Sequence, residues 1–213
     1  MPITVFVADD HAIVREGLVN LLSSQPDIRV VGTAIDGRQA VREVVKLQPE
    51  VVVMDIAMPQ MNGIEAAREI RERAPQARVV ILSMHSSVEH VHHALAAGAY
   101  GYVLKQSVAQ EIIDAVRAVR AGRRYLSPGI AELIAEGISR GAAASPLESL
   151  SKRERQVLQL VAEGRSSAHI AATLHLSPKT VDTYRSRIMQ KLRIGDAAGL
   201  IKFAIQHGLT SLE

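Results

Sequence analysis

Five short runs rich in Val and Ile, ITVFVA, IRVVGTA, EVVVMD, RVVILS and GYVLK, recur through the first half of the chain, with longer helical patterns between them. A continuous apolar strand must be covered on both faces, and parallel strands need a crossover connection. Strands alternating with helices therefore predict one doubly wound α/β sheet of five parallel strands. The intervening segments read as helices. HAIVREGLVNLLSSQ puts Ile13, Val14, Leu18, Leu21 and Leu22 on one stripe. DGRQAVREVVKLQP opens with Asp36 and Gln39 at capping-box spacing and stops at Pro49; NGIEAAREIRERAP stops at Pro75. SVAQEIIDAVRAVRAG opens on Ser107 and stops at Gly122.

In such a sheet, ligand chemistry collects at the carboxyl ends of the strands. Asp9 and Asp10 follow the first run, Asp55 ends the third, Ser83 ends the fourth and Lys105 ends the fifth. Three clustered carboxylates repel and raise one another's pKa unless a cation intervenes. A hard divalent ion such as Mg2+, which takes carboxylate and water oxygens, relieves that repulsion. The constellation suits phosphoryl transfer. Asp55 is the carboxylate nucleophile, Lys105 pairs with a phosphate oxygen and Ser83 donates a hydrogen bond to another.

Charge separates the chain into two parts. Residues 1–126 carry 14 Lys+Arg and 14 Asp+Glu, whereas residues 147–213 carry ten and six. A neutral first part and a basic tail predict two domains, the second facing a polyanion. We place the first over residues 1–122, an extra helix and linker over 123–146, and the second over 147–213. PGIAELIAEGIS supplies the extra helix, with Ile130, Leu133, Ile134 and Ile138 as its stripe, and RGAAASPLE has linker composition. The tail reads as four helices. Ser151 and Glu154 form a capping box, Gly164 stops that helix, and SAHIAATLHL turns Ile170, Ala171 and Leu174 inward. Ser177 then caps SPKTVDTYRSRIMQKLRI, with Pro178 at its first position, and DAAGLIKFAIQHGL closes the chain. A short helix, a tight turn and a longer basic helix make a helix-turn-helix, which points to double-stranded DNA. At about 100° per residue, Val181, Tyr184, Ile188 and Leu192 form the core stripe. Lys179, Thr183, Ser186 and Gln190 lie opposite, flanked by Asp182 and Arg187, with Arg185 and Lys191 in reach of phosphates.

The stretches VADDH, VVVMDIAMPQMNG, ILSMH and AYGYVLK together resemble the flavodoxin-like receiver domain of two-component response regulators. The resemblance implies that Asp55 is the phosphoacceptor, charged by a sensor histidine kinase. It implies that Asp10, Asp55 and the backbone carbonyl of Ala57 ligate Mg2+ directly, with Asp9 acting through water. Ser83 and Tyr102 match the switch pair, Tyr102 turning inward on phosphorylation, and Lys105 matches the family's cation. Met84 departs from the small residue common after the switch hydroxyl.

LSKRERQVLQLVAEG and IAATLHLSPKTVDTYRSRIMQKL resemble the LuxR-type DNA-binding domain, and the whole chain resembles the NarL/FixJ class, its wording closest to the GacA-like branch. Carried across, Asp182, Thr183 and Ser186 are base readers, and Lys179, Thr180, Tyr184, Arg185 and Arg187 are phosphate contacts. Two departures stand out: Asp182 replaces a common Lys, where an acid cannot grip phosphate but can accept from cytosine N4 or orient Arg185 or a neighbour, and SSAH at Ser166–His169 loses another. The class implies release of the basic domain on phosphorylation and a homodimer on half-sites about one DNA turn apart.

Other classes fit less well. Phosphatases of the haloacid dehalogenase type also use an Asp after an apolar strand, but they need a second acid two residues later, where this chain has Ala57. A non-enzymatic regulator is the better reading, although a tail that binds protein rather than DNA is a rival. The His-rich stretch MHSSVEHVHHAL holds His85, His90, His92 and His93, which reads as a solvated, partner-facing helix rather than a zinc site. With no Cys, no basic leader and no apolar run near about 18 residues, a cytoplasmic protein without a membrane span is expected.

Overall fold

The computed structural model describes residues 1–213 apart from 85, 87, 108, 141–145, 208 and 211–213; side chains at 136–140 and 148 are also outside the description. The chain divides into two compact units, Met1–Ala142 and Ala143–Glu213.

In the first unit, strands and helices alternate as β1 (Ile3–Ala8), α1 (Ala12–Ser23), β2 (Ile28–Ala34), α2 (Gly37–Leu47), β3 (Val51–Asp55), α3 (Gly63–Arg73), β4 (Arg78–Ser83), α4 (Val88–Ala97), β5 (Gly101–Leu104) and α5 (Ala109–Arg120). β6 (Tyr125–Leu126) and α6 (Pro128–Arg140) follow. All strand pairs are parallel, in the order β2-β1-β3-β4-β5-β6. The sequence predicts five strands, and the sixth is new. It is two residues long, too short to leave a periodic signal, and exists because Gly101 and Tyr102 pair with Tyr125 and Leu126.

Alternation along the strands sorts the core into two layers. Phe6, Val52, Met54, Val79, Ile81 and Tyr102 face α2, α3, α4 and α6. Val5, Val7, Val51, Val53, Val80, Leu82 and Val103 face α1 and α5. Asp36 caps α2, accepting from the Gln39 backbone N–H, and Asn62 caps α3, accepting from that of Glu65. Of the α1 stripe, Leu18 and Leu22 are buried, whereas Ile13 is 87% exposed. It lies in the first turn of α1. The Ser107 cap borders residue 108, outside the described residues.

α6 packs on the sheet rather than hanging free. Ile130 is fully buried in the layer that holds Tyr102, with Leu133 and Ile134 packed against it; the Ile138 side chain lies outside the described residues. Ile130→Ala should therefore lower the stability of the first unit by about 2–4 kcal/mol, as expected for a truncated buried aliphatic. Urea unfolding followed by circular dichroism would show it. A midpoint unchanged from the parent would mean that α6 is not part of this core.

The second unit begins with a 3-10 turn, Pro146–Ser149, then α7 (Lys152–Ala162), α8 (Ser167–Leu174), α9 (Pro178–Leu192) and α10 (Ala197–Gln206). Ser151 and Glu154 form the predicted capping box, and Ser177 caps α9 with Pro178 at its start. Gly164, at φ +74°, supplies the left-handed turn that ends α7. Val157, Leu158, Ile170, Leu174, Val181, Ile188 and Leu200 form its core.

Candidate functional site

The alternation that divides the core also builds the acidic site. Asp9 continues the row of Val5 and Val7, Asp55 that of Val51 and Val53, and Lys105 that of Val103. Three strand ends thus aim their polar residues to the same side of the sheet. The Lys105 Nζ lies 2.8 Å from Asp9 Oδ2 and 3.0 Å from Asp55 Oδ2, bridging two buried carboxylates. The other Asp9 oxygen, Oδ1, accepts the His11 backbone N–H at 2.9 Å. Ligand atoms of Asp9, Asp10, His11 and Asp55 all lie within 4.8 Å of one another, so this cluster can hold a metal ion. His11 is the member that the sequence reading missed. Its Nδ1 is 2.8 Å from Asp10 Oδ1, a contact that follows from its place immediately after Asp10.

Burial pushes the Asp55 carboxyl up to about 6; the Lys105 charge pulls against this, while Asp9 and Asp10 add to it. Lys105 loses by burial, but the charges of Asp55 and Asp9 outweigh that and raise it above its ordinary value. The ammonium therefore stays charged and compensates only part of the acidic cluster. An additional cation has electrostatic reason to bind there.

Ser83 continues the opposite row, that of Val79 and Ile81, on the side where Tyr102 lies. The two side chains are hydrogen-bonded, and burial pushes the Tyr102 phenol up to about 12 with Ser83 opposing. Tyr102 is fully buried, packed in the layer with Val91, Ala94 and Ile130. Met84 is 60% exposed beside Ser83. Ala57 stands in the bend after β3, two residues past Asp55. That bend is held close to α3, the Gly63 N–H donating to the Ile56 carbonyl at 2.9 Å.

The reading of the His-rich stretch as solvated needs correction. His90 and His93 are buried on α4, only 3% and 4% exposed, while His92 is exposed. Spacing i, i+3 puts the first two on the inward face with Val91 and Ala94 nearby. His85 lies outside the described residues.

In the second unit, Val181 and Ile188 are buried and Tyr184 and Leu192 pack against the core, as the periodicity predicts. Lys179, Asp182, Thr183, Ser186 and Arg187 are exposed, and Thr180, Tyr184 and Arg185 are half-buried. The Thr180 hydroxyl is 2.8 Å from that of Ser177 at the cap. Lys191 does not present a free charge to a phosphate. Its Nζ is 2.7 Å from Glu154 Oε2 and donates to the Ser149 carbonyl at 3.1 Å.

Glu154 is buried, which alone would raise its pKa, but Lys191, the Ser151 backbone and the Ser151 hydroxyl outweigh burial and hold it below the usual 4.5. A depressed carboxylate stabilises the fold above its unfolded pKa and loses that stabilisation as pH falls through the folded value. Lys191→Met should therefore destabilise the second unit by about 1–2 kcal/mol at neutral pH, discounted for the exposed ammonium. The part of the deficit owed to Glu154 should disappear as pH falls through its folded pKa, leaving only the loss of the Ser149 bond. Thermal unfolding across pH tests this; a deficit independent of pH would assign the loss to packing.

A three-acid pocket bridged by a lysine at one edge of a parallel sheet, followed by a helix-turn-helix unit, defines a class of signalling protein. Residues 5–117 match the response regulator receiver domain, and residues 148–204 match the bacterial regulatory proteins of the luxR family. The chain belongs to the two-component response regulators that join a receiver to a LuxR-type DNA-binding domain. It is 39% identical over 210 residues to the transcriptional regulatory protein MctR of Rhizobium johnstonii, covering 98% of this chain and 96% of that one. It is 36% identical over 222 residues to the transcriptional regulatory protein DegU of Brevibacillus brevis, covering 97% and 94%. A solved structure of two RcsB dimers bound to two parallel DNAs is similar over 95% of this chain and 98% of that one, at 28% identity and a TM-score of 0.62. Among the described residues, no helix is long and apolar enough to cross a membrane.

Proposed function

We propose that Asp55 accepts a phosphoryl group from a sensor histidine kinase and that this controls DNA binding by the second unit. The observation that carries the reading is the Lys105 ammonium bridging Asp9 and Asp55 at the strand ends. An Asp55 oxygen attacks phosphorus, the P–N bond to the kinase imidazole breaks, and the imidazole nitrogen keeps the electron pair. Lys105 is placed to follow the charge from carboxylate to phosphoryl oxygen. Asp10, Asp55 and the Ala57 carbonyl, with Asp9 behind them, are an oxygen donor set that suits Mg2+, which when bound neutralises phosphoryl charge.

The added phosphoryl group brings roughly 1.5–2 negative charges to the sheet edge. Ser83, bonded to Tyr102, is the hydroxyl placed to exchange that partner for a phosphoryl oxygen. Tyr102 keeps its buried place, and what changes is the bond it shares. This couples Asp55 to the layer containing α4 and α6.

On the DNA side, Lys179 and Arg187 are exposed cations at phosphate-contact positions, with Thr180, Tyr184 and Arg185 beside them. Thr183 and Ser186 are exposed base-reader positions, with Asp182 adjoining. The similarity to RcsB dimers on DNA supports a homodimer that sets two α9 helices on half-sites about one turn apart. Such a regulator acts in the cytoplasm. Fluorescence anisotropy against salt, with and without acetyl phosphate, tests this reading. Affinity should fall steeply with salt, close to one unit of slope per phosphate contact, and rise with the phosphodonor. A flat salt response would instead favour a protein-binding tail.

A further inference from the structure

One hydroxyl joins the two helices of the helix-turn-helix. Ser167, in the first turn of α8, donates to Asp182 Oδ1 at 2.8 Å. The Arg185 guanidinium, through Nη1, donates to the same Ser167 oxygen at 3.2 Å. A serine hydroxyl has one proton to give and lone pairs to receive, so both bonds are made at once. Each has a charged group at its far end, which strengthens it over a neutral pair. Asp182 and Arg185 are three apart on α9 and share a face, yet they meet through Ser167. Ser167 and Arg185 are half-buried, while Asp182 is exposed.

The chemistry of this relay bears on DNA. A free carboxylate on a recognition helix repels phosphates, and a free arginine loses about 2 kcal/mol of rotamer freedom when it is fixed on one. Ser167 addresses both effects. It engages the Asp182 oxygen that would otherwise be bare, and it holds the guanidinium before DNA arrives, so less ordering remains to be done on binding. The other hydroxyls of this face do not join in: Thr183 donates to the Lys179 carbonyl at 2.9 Å and Ser186 to that of Asp182 at 3.1 Å.

We infer that Ser167 and Asp182 are positioning residues for DNA binding: the Ser167 hydroxyl, anchored on Asp182, holds Arg185 where it meets a backbone phosphate of double-stranded DNA. This rests on the DNA-binding reading above and gives Asp182 a task other than base reading. The probe is a duplex selected by the phosphorylated full-length chain from a random-sequence library, with affinity measured across a salt series. Arg185→Ala should lower the salt slope by about one unit, the mark of one lost phosphate contact. Ser167→Ala, which changes no charge, should weaken binding about fivefold, the worth of one ordinary hydrogen bond. Its slope should move towards that of Arg185→Ala. The double variant should bind less than about fivefold more weakly than Arg185→Ala alone, because only the baring of Asp182 is left for the second change to cost, and Ser167→Thr should restore the parent slope, while circular dichroism shows all variants folded. The relay is refuted if Ser167→Ala keeps the parent affinity and slope, or if its loss adds in full to that of Arg185→Ala. Failure of the parent chain to select any duplex would bring down the DNA-binding reading itself, and the relay with it.

Discussion

Asp55→Asn should abolish covalent incorporation of phosphate from acetyl phosphate and, in magnesium-free buffer at pH 8, should raise the thermal midpoint of the receiver. The two effects have one origin. Asp55 is buried between other acids, and its carboxyl is pushed up from 3.8 to about 6. The folded chain therefore holds that proton more tightly than the unfolded chain. Stability contributed by the protonated group is present below the unfolded value and is lost as pH rises through the folded one. Above that window the ionised carboxylate costs the fold on the order of 1–3 kcal/mol. Asparagine keeps the shape and cannot ionise, so it removes the cost and the nucleophile together. The gap between variant and parent should be small at pH 4 and widen towards pH 8. Adding Mg2+ should raise the midpoint of the parent and leave that of Asp55→Asn nearly unmoved. Labelling that persists in the variant would refute the assignment of the phosphoacceptor; equal midpoints at every pH would refute the account of its burial.

The second large effect is expected from a residue with no chemistry of its own. A Cβ at Gly63 would stand 2.0 Å from the Asp55 carbonyl oxygen and 3.2 Å from the Ile56 Cα. Both neighbours are backbone, so no rotamer change relieves the clash. α3 begins at Gly63, and its N–H bonds the Ile56 carbonyl. Gly63→Ala must therefore push the helix away from the strand end that carries Asp55. A loss of about 2–3 kcal/mol is expected from overpacking, with labelling slowed at least about tenfold, because small misplacements of a reacting group are costly. Gly17→Ala is the control. Nothing lies within 4 Å of that position in α1, and alanine there should stabilise the helix by roughly 0.5–1 kcal/mol. Urea midpoints for the two variants, with labelling rates, decide the matter. If Gly63→Ala unfolds at the parent midpoint, α3 does not press on the strand end as described.

The readable part of this molecule is what local pattern controls. Strand rows, helix caps at Asp36, Ser151 and Ser177, and the inward stripe of α9 follow from spacing along the chain, because a helix or strand turns each residue by a set angle. Asp9, Asp55 and Lys105 were legible for the same reason, each being the next polar residue in an apolar row. What escaped depends on partners far away in sequence. Tyr125 and Leu126 become a strand only because β5 offers its free edge. His90 and His93 look polar by composition but are covered once α4 folds against its neighbours. Lys191 looks like a phosphate contact until Glu154, 37 residues earlier, takes its charge.

The amino-acid order by itself determined the two folded units, the strand-end acids and the polar face of α9, since each depends on periodicity and on the chemistry of single residues. Only the tertiary structure decided that one ammonium spans Asp9 and Asp55, that Tyr102 is already inside, and that Ser167 ties Asp182 to Arg185. Those are distances between groups from separate elements, and no spacing along a chain sets them until packing brings the elements together.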